Sequence, residues 1–421
     1  MPTSAFAVFS ILSKENQMMQ NKKIKTSALF TAVLLIVMTV FAIFNIGAKD
    51  NQMNSVKSYI VENIDQMRSL VINDTDASIV VKGYYTAGDG GGGTFFWDKN
   101  SASEENGGTI FKNTNDEIGR YIRLCDNENL NLKWFGAKGD GEHDDTLAFQ
   151  NALKALPDPG GSVSVPNGTY NVSETIIIGN GNMGSQASTK KGIHILGDGN
   201  ANIRAVEKMN NVIEVKGMMY DLLLSDLTID CNKNTQTGVR MTAFIGCAIR
   251  NSNIVNFTKK GLVIMGGGDP CGNYNTYNQF ENLNVRSDID GAVGVYFDGD
   301  FKAINDTWLT TMTNCSFVAT GYNSIGAHCK FVDSISLYQC TFTGTKHGVL
   351  FDAIGNSGYP SGIGFYDCSV SSVGVLESAS ETVRKQWFLG FKTDNGEVIP
   401  NDYRFFGITD QGKPFYMEIV Y

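Results

Sequence analysis

A short segment with two apolar residues around one polar residue recurs through the second half of this chain, and no amphipathic helix separates its copies. The copies read "LSDLTID", "IRNSNIVNF", "FENLNVRS", "MTNCSFVA", "YQCTFTG" and "YDCSVSS". Their second apolar positions are Ile229, Ile254, Val285, Phe317, Phe342 and Val370, at successive spacings of 25, 31, 32, 25 and 28 residues. Most are followed by a glycine and another short apolar run: "GLVIMG", "GVYFDG", "GAHCKF", "GVLFDA", "GVLES". Short strands returning at that interval without helices require a solenoid of parallel coils, each burying alternate side chains against its neighbours. Counting one coil per repeat predicts roughly six or seven coils over residues 193–380. Cys315, Cys340 and Cys368 then share one inward position and read as a column of small apolar thiols rather than as ligands.

Composition narrows the function classes. Charged residues make up only 18% of the 421, and the net charge is −9. That balance lacks the clustered basic surface a nucleic-acid partner needs. Eight cysteines contain no CxxC pair, so no zinc site is expected. Residues 1–50 stand apart: Lys22, Lys23 and Lys25 precede an uncharged run from Ala28 to Ile46, long enough to cross a bilayer. Ile46-Gly47-Ala48 also fits a signal-peptidase site. A secretory signal and a membrane anchor through residues 28–46 both fit, and either takes the rest of the chain out of the cytoplasm. Residues 51–77 read as a linker with a short helix, from the spacing of Ile60, Ile64, Met67 and Leu70. Gly90 to Gly93 open a strand, Thr94-Phe95-Phe96-Trp97, and not the helix a phosphate-binding loop requires.

The stretch "WFGAKGDGEHDDTLAFQNALKAL" gathers Asp140, Glu142, His143, Asp144 and Asp145. Asp140-Gly141 is turn chemistry, and Asp144 or Asp145 is placed to cap the following helix. Leu147, Phe149, Ala152, Leu153 and Leu156 form an apolar stripe suited to closing the open end of a solenoid. The cluster therefore reads as a structural cap. With "PGGSVSVPNGTYNVSETIII" after it, this stretch resembles the opening of the pectate-lyase-like right-handed β-helix superfamily, which includes rhamnogalacturonases, epimerases and tailspike depolymerases. Residues 78–125, with "VVKGYYTAGDGGGGTFFWD", resemble the small module that precedes the β-helix in tailspikes. The resemblance implies an all-β chain: a single-stranded right-handed parallel β-helix over 130–380, with an N-terminal capping helix. The small β module and an N-terminal hydrophobic helix precede it, and residues 381–421 add a C-terminal β extension. It also implies a polysaccharide partner and, through the tailspike likeness, a homotrimer; no cofactor is expected, and the residues show no obvious calcium cluster of the pectate-lyase kind and no other metal site.

The polygalacturonase signatures (NTD, a paired Asp-Asp among the coils, RIK) are absent. Aligning Gly261, Gly294, Gly326, Gly348 and Gly374 places alternate positions inward and outward. The middle coils then present Tyr296, His328 and Leu350 in one outward column, and Asp298, Lys330 and Asp352 in the next. An acidic sugar could be bound and cleaved on such a face. For a lyase, Lys330 would neutralise the uronate carboxylate and His328 would take the C5 proton, with Tyr296 binding substrate. For a hydrolase, Asp298 and Asp352 would stand ~9.6 Å apart, near the upper end of the inverting range. Asp298–Lys330–Asp352 also reads as a plain alternating-charge ladder on an exposed sheet. His194 and His347 fall in coil or turn segments. The expected function is an extracytoplasmic lyase or glycoside hydrolase on an acidic polysaccharide; the alternative is a glycan-binding or structural surface protein without catalysis.

Overall fold

A computed structural model describes residues 57–72, 77–115, 117–179, 191–217, 219–265, 276–298, 309–330, 332, 335–351 and 363–375, and three later strands, Trp387–Leu389, Arg404–Ile408 and Pro414–Glu418. The basic-then-apolar segment of residues 1–50 and the candidate Asp352 lie outside the described residues, as do most of residues 381–421.

Residues 58–123 build a five-stranded sheet. Ser78–Val81 pairs with Gly93–Asp98, which pairs with Arg120–Arg123, and Ile110–Lys112 closes that side. At the other edge Ser58–Val61 runs parallel to Ser78–Val81. The sequence pattern predicted linker or helix there, but only Ile64–Arg68 is helical, capped by the Asn63 side chain accepting from the Gln66 N–H at 2.9 Å. The strand wins because it places Val61 in the same core as Ile79, Val81, Phe95 and Trp97, and tertiary burial outweighs a short helical period. Arg123 ties this sheet to the solenoid. Its guanidinium donates to the carbonyls of Gly91, Gly92 and Gly108 at 2.6–2.9 Å and lies between the rings of Phe95 and Trp134, 4.5 and 4.9 Å from their centroids. Burial lowers its pKa to about 10. The glycine turn makes this approach feasible: a Cβ on Gly93 would lie 2.2 Å from Arg123 Nη1.

The helix Thr146–Ala155 caps the solenoid, burying Phe149, Ala152 and Leu153, with Leu156 just beyond it. Leu147, counted in the apolar stripe, instead points to solvent and is 66% exposed. The carboxylates divide the work differently from a simple N-cap. Asp144 accepts from the Thr146 N–H at 3.0 Å and from the Ser173 hydroxyl at 2.5 Å. Asp145 occupies the N-cap position without a capping bond. It is 2% exposed and accepts from the backbone N–H groups of Lys138 and Gly139 at 2.6 and 3.0 Å. His143 lies exposed between Asp140 (2.7 Å) and Lys138 (2.6 Å). Backbone N–H groups of His143 and Glu142 hold the Asp140 carboxyl well below the usual range.

Beyond the cap the chain is a parallel β-helix. One face is an eight-stranded parallel sheet: Ile176–Ile178, Asn211–Val215, Thr237–Thr242, Lys260–Met265, Val293–Asp298, Ile325–Cys329, His347–Phe351 and Val373–Val375. The other strands of each coil meet at a one-residue corner in the left-handed conformation: Asn251, Asn282, Asn314, Gln339 and Asp367 have φ of 48° to 52°. Asn tolerates that conformation better than most residues, and its amide stacks: Asn282 donates to Asn251 at 3.0 Å and Asn314 to Asn282 at 2.7 Å. The next residue points inward, which creates the expected thiol column of Cys315, Cys340 and Cys368, each at most 1% exposed. These thiols donate to carbonyls of the preceding coil: Cys315 to Phe280, Cys340 to Met312 and Cys368 to Leu337.

A column of glycines follows another corner. A Cβ on Gly326 would lie 2.5 Å from the Gly348 carbonyl oxygen and 2.8 Å from the Thr343 nitrogen, both backbone atoms. Gly326→Ala should therefore cost about 1–3 kcal/mol in denaturant unfolding, as overpacking does. Asp145→Ala should cost about 2 kcal/mol by the same measurement, because two inward N–H groups lose their acceptor; a loss of a few tenths would show that water replaces it.

Candidate functional site

Backbone register defines the outer face of the eight-stranded sheet. Tyr296 pairs with His328 and His328 with Leu350. The Tyr296 and His328 rings meet edge to face, centroids 5.0 Å apart and planes at 84°. Lys330 Nζ approaches Asp298 at 3.9 Å, with the two side chains 23% and 19% exposed. Four of the five sequence candidates thus sit together on two successive coils.

Three details differ from the sequence alignment. Tyr296 points outward yet is only 8% exposed, within a buried outer cluster of Val263, Val293, Ile325 and Leu350. Gly374 pairs with Leu350, so the last coil is displaced by two residues from the glycine alignment. His194 and His347 both lie in strands, and His347 is buried, paired with Ile325. The burial of Tyr296 comes from the side chains that pack around it, whereas the other two differences arise because strand register follows the backbone ladder and loops of unequal length hide it from a residue count.

Toward the capping helix the same outer columns become charged. Glu214 pairs with Arg240, Arg240 with Val263, and Val263 with Tyr296. Asn211, Glu214, Lys216, Arg240, Lys259 and Lys260 line a groove of about 580 Å³, within the size range of ligand sites. Four cations there face one carboxylate, in a chain whose net charge is −9. Glu214 is held by Lys216 at 3.3 Å, Arg240 at 3.8 Å and Asn211 at 3.2 Å. Lys260 joins groove to candidate pair: its Nζ sits 3.4 Å from the Tyr296 ring centroid. Burial lowers the Lys260 pKa; Arg240, Lys330 and Lys259 push the same way, and Asp298 opposes them.

Sequence reasoning missed Glu214, Arg240, Lys259 and Lys260. A signal existed: Gly238 stands one coil before Gly261, and extending the alignment to it brings Arg240 into the His328 column. Lys260 precedes its glycine, in a column the alignment did not count. Chemically, the face offers cations, an imidazole and a phenol close together. The carboxylates Glu214 and Asp298 stand three coils apart, about 14 Å along the axis, too far for paired-carboxylate hydrolysis.

Residues 129–372 match the family described as rhamnogalacturonase A/epimerase, pectate lyase-like, and residues 60–126 match the phage tail protein small four-stranded β-sheet domain. Alginate lyase 7 of Azotobacter vinelandii is 37% identical over 122 residues, 26% of this chain and 13% of that protein. Mannuronan C5-epimerase AlgE1 of the same organism is 34% identical over 120 residues, 26% of this chain and 8% of that protein. The chain thus spans only a small part of either relative's length. The tailspike protein gp49 of Acinetobacter baumannii bacteriophage Fri1, described as a capsular polysaccharide depolymerase, superposes with a TM-score of 0.54 at 14% identity, over 80% of this chain and 67% of that one. At that identity the likeness is one of fold.

Lys260 should titrate below a free lysine side chain, and Asp298→Asn should lower it further, read by methyl NMR of reductively methylated lysines. Because the folded-state pKa is depressed, the unfolded chain binds more protons between the two values, and stability rises with pH through that window. A normal or raised Lys260 pKa would contradict the burial argument.

Proposed function

Because the chain belongs to the rhamnogalacturonase A/epimerase, pectate lyase-like family, we propose that it acts on an acidic polysaccharide outside the cytoplasm, by β-elimination on the outer face of the eight-stranded sheet. The observation that carries this reading is the excess of cations in a groove that runs to the Tyr296–His328 pair. In a uronate the C5 proton becomes removable when a cation neutralises the adjacent carboxylate. Lys330 and Lys260 are the cations nearest the pair, and His328 is the base that accepts the C5 proton. The released electron pair forms the C4–C5 double bond, and the glycosidic oxygen leaves C4 with a proton from Tyr296 or water. Proton removal at C5 is also the first step of C5 epimerisation, so the named activities of the two Azotobacter relatives share the chemistry proposed here.

The same reading has the chain exported through its N-terminal segment, with residues 28–46 as signal or anchor, and assembled as a homotrimer. A second reading, glycan binding without turnover, is favoured by one feature: Asp298 and Lys330 already satisfy each other as a cross-strand ladder.

Incubating the full chain with alginate, pectate and other polyuronates, and following the ultraviolet absorbance of unsaturated product, tests the proposal. Product should form with at least one polymer. His328→Ala should then reduce turnover roughly 10²–10⁴-fold. Lys330→Ala should reduce it far more than its stability cost of about 0–1 kcal/mol would account for. Binding without product, or turnover indifferent to both substitutions, selects the ladder reading of this face.

A further inference from the structure

Lys330, paired with Asp298, stands on the far side of the Tyr296–His328 pair, while the cations that line the groove all lie on the near side. They come from three successive coils, as Lys216, Arg240 and the adjacent Lys259 and Lys260, and the groove continues to Thr175 on the coil before. In the other direction, the column that holds Lys260 continues as Val293 and Ile325, and the column that holds Arg240 continues through Val263 to Tyr296. All of these continuing positions are buried. A polyanion lying along the axis therefore finds charge partners between Thr175 and Lys260, and none in these columns immediately past Tyr296. Glu214, shared between Lys216 and Arg240, offsets one of their two charges, so the groove keeps an excess of three positive charges for a ligand.

Each coil advances the chain by about the length of one sugar in an extended polymer, so the three steps from Thr175 to Lys260 cover ~14 Å. We infer that the groove is a one-sided run of subsites for about three consecutive acidic sugars, ending at Lys260 beside the Tyr296–His328 pair, so that cleavage falls within chains longer than about four residues. This rests on the reading that the face acts on an acidic polysaccharide, and it adds direction and length. Lys260 is the cation shared between binding and chemistry, since its ammonium touches the Tyr296 ring while its charge couples to Arg240 and Lys259.

The test uses the full chain and a series of oligomannuronates and oligogalacturonates from one to six sugars, with neutral cello-oligosaccharides for comparison. Binding is read by calorimetry and cleavage by ultraviolet absorbance in the same samples. Affinity should climb with each sugar up to about three, fall with added salt, and be absent for the neutral series. Arg240→Ala should weaken trimer binding about tenfold. Lys259→Ala, at an exposed position that disturbs no packing, should weaken it a few-fold and guards against a misfolded Arg240 variant. Trimers should resist cleavage while hexamers are cut. Affinity independent of length, or unchanged in both variants, overturns the inference even if long polymers are cleaved. Climbing affinity with no product from any polymer keeps the subsites and removes the lyase reading instead. Absence of both binding and product rejects the two together.

Discussion

Constant-register parallel pairing from coil to coil is the constraint on which the rest of this structure depends. Once each strand of the eight-stranded sheet pairs with its neighbours, every residue is committed to a column, inward or outward, shared with the coils before and after it. The left-handed corner residues keep that register because each must turn the chain at the same place. Asn251, Asn282 and Asn314 do so with stacked amides, so the turn and the stacking reinforce each other. A column therefore behaves as a unit, and inserting one residue into one coil would move every side chain of that strand to the opposite face.

The same constraint explains how an acidic chain presents a cationic groove. Charges far apart in sequence, from Glu214 to Lys260, are brought within one outer face because each of three coils contributes one or two charged residues to it. Burial takes hydration from the Lys260 ammonium, and the like charges of Arg240, Lys330 and Lys259 add to that cost, which is visible in its lowered pKa. The Tyr296 ring face and the Asp298 carboxylate offset part of it. Arg123 shows the structural counterpart: a buried guanidinium without a carboxylate, satisfied by three carbonyls and two rings, joining the small sheet to the first coil.

Much of this was legible from residues alone, and unevenly so. The inward column of Cys315, Cys340 and Cys368 and the pairing of Tyr296 with His328 follow from strand alternation together with the repeat spacing where successive coils keep the same glycine. The role of Asp145 did not follow, because an aspartate before a helix looks like a cap whether it bonds forward to the helix or back to the Lys138–Gly139 loop. Nor did the edge strand Ser58–Val61, whose spacing suits a helix until the neighbouring strand is present to pair with it. The groove was missed because the glycine alignment stopped at Gly261: Gly238 would have placed Arg240, the Glu214 coil carries no glycine at that position, and Lys260 lies in a column ahead of its glycine.

By itself the amino-acid sequence determined the kind of object this protein is: recurring short apolar pairs without helices admit only stacked parallel strands, and the capping stretch marks where they begin. It also determined which residues alternate, since side-chain direction along a strand depends on nothing beyond the strand. Only the tertiary structure decided which residues face one another where the repeat loses its glycine or its spacing, and how deeply each is covered. Tyr296 points outward as its position requires and is nonetheless buried, because exposure depends on every segment that packs over a face. Glu214, Arg240 and Lys260 come onto one face with Tyr296 for the same reason, through hydrogen bonds between strands more than twenty residues apart. Local alternation is written into each strand, whereas juxtaposition belongs to the ladder that joins them.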